Sequence, residues 1–271
     1  MVDRIATGLI ALCALVGASC LLFIVGYVVV RGAPAIDLAF FTQSPRPFGE
    51  DGGGVLPAIA GTVTMLVLAS IVAIPVGMGT AIYLSEYGRG PLATLVRFTL
   101  DLLAGMPSIV IGVFVWALVV RHVIGQYSGL AGAIALALIM IPILTRTVEE
   151  ILRLVPDSLR EGSVALGVPR WRTILGVVLP TARAGVVTGV MLSLARAGGE
   201  TAPLLLTALG NQFLSFDVRG PVASLPVQIY SYAIAPYEDW HTKAWGSALV
   251  LVLVVGCLSL ITRIATRRAR V

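Results

Sequence analysis

Apolar residues along this chain do not alternate with polar ones; they come in long runs, divided by short stretches that carry nearly all the charge. The first run, residues 8–30, holds 23 uncharged residues. At 1.5 Å per residue, about 20 apolar residues cross a hydrocarbon layer ~30 Å thick. Five further runs meet the same test, at about residues 55–84, 98–120, 129–145, 184–206 and 244–261. The pattern predicts an all-α fold, a polytopic transmembrane helical bundle of six spans in one domain over residues 1–271. Outer loops are expected at 31–54 and 207–243, and a longer loop at 146–183 on the opposite side.

Composition strengthens this reading. Hydrophobic residues make up 58% of the 271 and charged residues only 12%, against about 25% charged in soluble chains. The net charge of +5 does not point to nucleic acid, because the cations are scattered among apolar runs. They read as topology signals. Arg4, Arg89, Arg97, Arg146, Arg153, Arg160, Arg170, Arg172, Arg183, Arg263, Arg267, Arg268 and Arg270 fall on the side of the termini, thirteen against Arg31, Arg46, Arg121, Arg219 and Lys243, five. The positive-inside rule then places both termini in the cytoplasm of a cell-membrane protein. Cys13, Cys20 and Cys257 lie in apolar runs without metal-ligand spacing, and the first run continues past Cys20, as a retained helix does.

Pro75, Pro107 and Pro142 lie inside the predicted spans, with Gly77, Gly79, Gly105 and Gly112 nearby, and should kink helices and allow close packing. Gly52 to Gly54 read as a flexible link in the first outer loop, and residues 224–236, apolar and bounded by proline, as either a short re-entrant or interfacial helix or a plain surface loop. No internal repeat of the inverted-transporter kind is evident.

The loop before the fifth span is patterned as two short helices. Asp157 or Ser158 can cap the first, Gly167 supplies a C′ turn, and Pro169 suits the first turn of the second. The turn between them should expose Val168 and Trp171 beside Arg170 and Arg172. Two readings of this surface stay open from pattern alone: an anchor for a partner protein, or an element lying on anionic membrane lipid.

Glu161, Gly162 and Ser163, then Gly167 after three residues and Val177 to Pro180 after nine more, resemble the Glu-Ala-Ala signature of ABC importer permeases. Glu161, Gly167, Leu179 and Pro180 match it, while Gly162, Ser163 and Val177 depart conservatively. The resemblance implies that Glu161, Gly167, Val168, Pro169, Arg170 and Trp171 form the coupling element that docks on a cytoplasmic ATPase. The chain itself has no Gly-x-x-x-x-Gly-Lys-Ser/Thr phosphate loop, so nucleotide hydrolysis is expected in a partner, an ATPase subunit dimer. No cofactor is expected. No metal-ligand set and no arrangement of nucleophile, base and orienting group stands out, and His122 and His241 have no partner at a useful spacing.

Inside the fifth run, Arg196 lies ~18 Å along a helix from residue 184, near the middle of the hydrocarbon layer, with Glu200 one turn outward on the same face. Charges at that depth are costly and face a protein interior or a water-filled path. A guanidinium, planar and permanently charged, suits a tetrahedral oxyanion. The other reading is a structural ion pair holding the bundle. A second pair at the same spacing, Arg97 and Asp101, is expected to be structural.

Residues 195–205, Ala-Arg-Ala-Gly-Gly-Glu-Thr-Ala-Pro-Leu-Leu, are similar to a segment of the phosphate importer permeases. Residues 105–112 and 224–230 resemble further segments, and the likeness covers most of the chain after Gly54. It implies a permease subunit forming half of a phosphate pathway, with Arg196 and Glu200 at the ion and hydroxyls from Thr201 and Ser108 beside it. It also implies a second permease subunit, identical or different, and an extracytoplasmic phosphate-binding protein. A permease for another oxyanion or nutrient, or an ATP-independent channel or secondary carrier, remains the alternative.

Overall fold

The computed structural model describes residues 2–47, 50 and 52–267; Arg268 and Arg270 lie outside the described residues. Among the described residues, five helical stretches are long and apolar enough to cross a membrane: Ala6–Ala35, Leu56–Tyr87, Gly129–Arg153, Arg170–Gly198 and Glu238–Cys257. The sixth span of the expected bundle is a pair, Pro91–Gly105 with Ser108–Ile124, bent by 104°. In chain order the α-helices are α1 (Val2–Gly32), α2 (Leu38–Thr42), α3 (Leu56–Ile82), α4 (Pro91–Gly105), α5 (Ser108–Val115) and α6 (Gly129–Arg153). After them come α7 (Asp157–Ala165), α8 (Arg170–Thr173), α9 (Leu179–Gly198), α10 (Ala202–Thr207), α11 (Leu225–Ala233) and α12 (Glu238–Arg267). Wider π-helical turns extend α3 through Tyr83–Tyr87 and α5 through Trp116–Ile124, and join α8 to α9 through Ile174–Val178.

Two of the expected spans differ in form. The run at 98–120 is not one rod, because Pro107 has no N–H for the helical ladder and forces Met106 into the extended region, ψ 136°. The run expected at 184–206 begins further back, at Arg170, and ends at Gly198. Gly198 and Gly199 hold the chain in helix weakly, and Pro203 starts the new helix α10.

Small residues set the packing of the central helices. α3 and α6 run parallel: a Cβ on Gly132 would come within 2.7 Å of the Met65 sulfur, and one on Gly77 within 2.9 Å of Leu144. Beside Gly77, the buried Thr145 hydroxyl donates to the Gly77 carbonyl at 3.2 Å. α6 and α9 run antiparallel, with Gly185 against Ile151 and Gly189 against Val148. Met65, Ala69, Ala73, Ala137, Met140 and Ala197 meet in the buried centre. Without a hydrophobic drive between helices in lipid, such close backbone approach supplies the van der Waals attraction.

α1 stands at the edge, apolar all round, and touches the bundle through its C-terminal end. Tyr27 meets the Trp245 ring edge-on at 5.2 Å, and a Cβ on Gly32 would lie 2.6 Å from the Trp245 carbonyl oxygen. Gly52 to Gly54 are not the free link expected from sequence. Gly52 and Gly53 have φ of +84° and +81°, and a Cβ on Gly54 would lie 2.3 Å from the Ala39 carbonyl oxygen. They fold the strap after α2 tightly under the start of α3. The segment at 224–236 does form a helix, α11, fastened where the Leu225 N–H donates to the buried Thr62 hydroxyl at 2.8 Å.

Candidate functional site

Arg196 sits in the last turn of α9. Carrying the register of Gly185 on Ile151 and Gly189 on Val148 upward places Arg196 level with the midpoint of α6, ~18 Å from either end of that helix. The chain then turns through Gly199 and Glu200, the Glu200 N–H bonding back to the Ala197 carbonyl at 3.2 Å. This turn sends the Glu200 carboxylate back toward Arg196, with Nη1 to Oε1 at 2.8 Å.

The pair is unequal. The Glu200 side chain is 5% exposed and that of Arg196 60% exposed. Oε1 also lacks a well-aligned hydrogen-bond donor, although Arg196 is close enough. The contact is therefore a charge attraction between an enclosed carboxylate and a largely exposed guanidinium. Among the described residues, Glu200 is the one ion-pair partner of Arg196. Its remaining donors can receive a planar or tetrahedral oxyanion.

The second broken span comes to the same region. α5 packs on α10 so closely that a Cβ on Gly112 would lie 2.7 Å from Pro203 Cα. Ser108 opens α5 one turn before Gly112, and Thr201 precedes α10 as its half-buried N-terminal residue. The breaks at Met106–Pro107 and Gly199–Thr201 thus share a neighbourhood. Irregular backbone at this depth is tolerated where it is buried in protein or lines a watery path. A cavity of about 720 Å³ lies elsewhere, lined by Arg31, Glu238, His241 and Trp245 between α1, α11 and α12. Arg196 does not line it and is instead largely exposed.

The loop at the other end of α6 is a compact block. α7 ends in a turn at Gly167, whose φ of +77° is the left-handed C′ conformation expected. The buried hydroxyls of Ser163 and Thr173 bond at 2.9 Å and close α7 on α8. Three details differ from the sequence reading. Pro156, not Asp157 or Ser158, occupies the cap position of α7; Pro169 likewise stands at the cap of α8; and α8 runs on into α9 rather than ending as a separate helix. Trp171 is exposed with the Arg172 guanidinium 5.0 Å from its ring, and Glu161 is exposed on α7. Arg170 is exposed too but donates to the Glu86 carbonyl and lies over the Tyr87 ring at 4.9 Å, while Val168 is half-buried. Leu166, unremarked from sequence, is the most exposed apolar residue of the turn.

Two buried carboxylates organise this end, neither singled out from the sequence, although Arg146 and Arg153 flank Glu149 at i−3 and i+4 on α6. Glu149 on α6 accepts from Arg97 Nε at 3.0 Å and Arg153 Nη2 at 2.6 Å, with Arg146 3.7 Å away. Asp101 pairs with Arg146. The expected Arg97–Asp101 pair within one helix is therefore replaced by two crossed pairs between α4 and α6. Glu86, at the foot of α3, is held by Arg160 of α7. The signal available in sequence was only an unmatched acid beside a span, since its partner lies 74 residues away.

A bundle of apolar spans, a charged pair at mid-depth on an open face and a closed block projecting between two spans define a membrane transport subunit, a permease. The chain belongs to the binding-protein-dependent transport system inner membrane component family, whose pattern matches residues 73–271. It is 43% identical over 263 residues to the phosphate transport system permease protein PstA of Yersinia pestis, covering 97% of this chain and 89% of that protein. The PstA of Haemophilus influenzae is 42% identical, with 97% and 93% covered. PstA 1 of Mycobacterium tuberculosis is 41% identical, with 92% and 84% covered. In fold, the chain resembles one from inward-facing conformations of the MetNI methionine ABC transporter, with TM-score 0.63, 21% identity, and 80% of this chain and 94% of that chain covered.

Proposed function

We propose that this chain is the permease subunit of an ATP-driven importer and forms half of the translocation pathway for inorganic phosphate. The observation that carries this reading is the unequal pair at mid-depth: a guanidinium open to the pathway, balanced by a carboxylate buried behind it. The kinship with PstA proteins supports phosphate as the substrate.

Arg196 receives the ion through its donor fork, and the hydroxyls of Thr201, five residues on, and of Ser108, on the helix packed against α10, complete the contact. Glu200 prevents the site from becoming a trap. A bare arginine in a low-dielectric path would hold a divalent anion too firmly, whereas a tethered carboxylate competes for the fork and recovers it once the ion leaves. It can also accept a hydrogen bond from protonated phosphate.

Energy comes from outside the chain. The block from Glu161 to Trp171 docks on an ATPase dimer, with Trp171 and Leu166 as its apolar anchors, and a second permease subunit supplies the other half of the pathway. An extracytoplasmic phosphate-binding protein delivers the ion at the α11 end. The cation asymmetry supports both termini in the cytoplasm.

The test is uptake into proteoliposomes holding the purified complex, with and without its ATPase, for phosphate against sulfate and molybdate. Phosphate uptake that requires ATPase and ATP and is not matched by the other anions is the expected outcome. Uptake without ATPase, or preference for another anion, refutes the reading.

A further inference from the structure

The α7–α8 block is tied to the spans at three places. Two ties are covalent, since α6 leads through residues 154–156 into α7 and α8 continues through Ile174–Val178 into α9. The third is Glu86, at the foot of α3. Its carboxylate is 4% exposed and meets the Arg160 guanidinium with Nη2 to Oε1 at 2.8 Å and Nε 3.3 Å from both oxygens. Arg160 also donates to the carbonyls of Val155 at 2.5 Å and Leu152 at 2.9 Å, and pairs with Asp157 at 3.2 Å. Its bond to Glu86 is the largest reason its pKa is raised, so the guanidinium stays charged. Arg170, from the other arm of the block, bonds the Glu86 carbonyl and covers Tyr87. Both arms of the block thus hold the same turn of α3.

That turn and the joint to α9 are the π-helical stretches Tyr83–Tyr87 and Ile174–Val178. Such widened turns interrupt the regular ladder and often mark functional positions in helices. Further along, α3 and α9 meet beside the Arg196 site, where Leu66, Ala69 and Ala73 pack with Leu194 and Ala197. A rigid block that grips one helix covalently and the other by a buried, multiply bonded ion pair moves both walls of the site together. A grip on α9 alone would let α3 lag.

We infer that Glu86 and Arg160 form a coupling strut, positioning residues through which displacement of the α7–α8 block by the ATPase is passed to α3 as well as α9. The inference rests on the importer reading above. A solvated pair could not serve, because exposed ion pairs are worth little and break readily. A buried carboxylate cannot leave its arginine without being stranded.

The test measures phosphate uptake and ATP hydrolysis in proteoliposomes of the whole complex, for wild type, Glu86→Gln and Arg160→Lys. Arg160→Lys keeps the charge but loses the fork. Both variants should assemble with the ATPase and hydrolyse ATP, while phosphate moved per ATP falls by about 2- to 30-fold, the range for residues along a coupling route. A ratio within about twofold of wild type in either variant, the lower edge of that range, overturns the strut. So does loss of both variants from the assembled complex, because the pair is then only part of the scaffold. Failure of the importer reading is distinguishable, since the wild-type complex itself would then show no ATP-dependent phosphate uptake.

Discussion

Arg196 and Glu200 touch at 2.8 Å yet occupy opposite surroundings, the carboxylate enclosed and the guanidinium open. The asymmetry arises because α9 ends between them. On one uninterrupted helix both side chains would share one face. The turn at Gly199 lets Glu200 sink among the packed helices while its carboxylate reaches back.

If Arg196 is the phosphate contact, Arg196→Gln abolishes uptake and leaves membrane insertion and ATPase assembly intact. Arg196→Lys restores little, because a point charge does not reproduce the fork. The double change Arg196→Gln with Glu200→Gln separates contact from scaffold. An assembled complex that transports nothing supports the contact, and recovered uptake sinks it. Anion-dependent uptake into proteoliposomes is the measurement.

Gly167 has room for a side chain, since a Cβ there meets nothing within 4 Å, but its φ of +77° is strained for any other residue. Gly167→Val therefore costs about 1–3 kcal/mol locally through backbone alone. The protein should insert normally, while co-purification of the ATPase or ATP-driven uptake is lost. Normal values of both would remove the docking role from the turn.

Gly112 presents the reverse case, an ordinary helical backbone with no room. A Cβ would lie 2.7 Å from Pro203 Cα, a backbone atom that cannot rotate away. Gly112→Leu should push α5 from α10, cost about 1–3 kcal/mol as overpacking, and abolish transport by separating Ser108 from Thr201. Thermal unfolding in detergent and uptake should both fall. Unchanged uptake would show that the two breaks need not meet.

Glu149 and Asp101 should differ sharply. Glu149→Gln leaves Arg97, Arg146 and Arg153 around a neutral amide and should destabilise by about 2–3 kcal/mol, below the value for a fully dry pair because the arginines are partly solvated. Asp101→Asn, whose side chain is 62% exposed, should cost less than about 1 kcal/mol. Equal losses in thermal unfolding would argue against the crossed pairing.

Orientation is open to direct labelling. In a background with Cys13, Cys20 and Cys257 replaced by serine, Ser158→Cys and Ser231→Cys place exposed thiols on α7 and α11. An impermeant maleimide should reach them from opposite sides, Ser158→Cys from the cytoplasm alone. Labelling of both from one side overturns the proposed topology.

What the chain determined by itself follows from short-range physics. Runs of about 20 apolar residues must become helices in lipid, since each backbone amide there needs a partner within its own segment. The left-handed turn at Gly167 and the charged pair four residues apart in the fifth span were legible for the same reason, because a turn or a helix brings those residues together locally. What only the tertiary structure decided depends on residues remote in sequence. Glu86 takes Arg160 from another helix, and Glu149 takes Arg97 from α4 besides Arg146 and Arg153 of its own helix, so the local Arg97–Asp101 spacing misled. The span at 98–120 bends by 104° because the proline break is exploited by packing of α5 against α10. Gly52 to Gly54 became a tight strap because Ala39, Phe40 and Arg46 fold back over them. Spacing along one helix fixes which residues can meet across a turn, but a buried charge pairs with whatever cation the packing brings nearest, and that choice is made between helices.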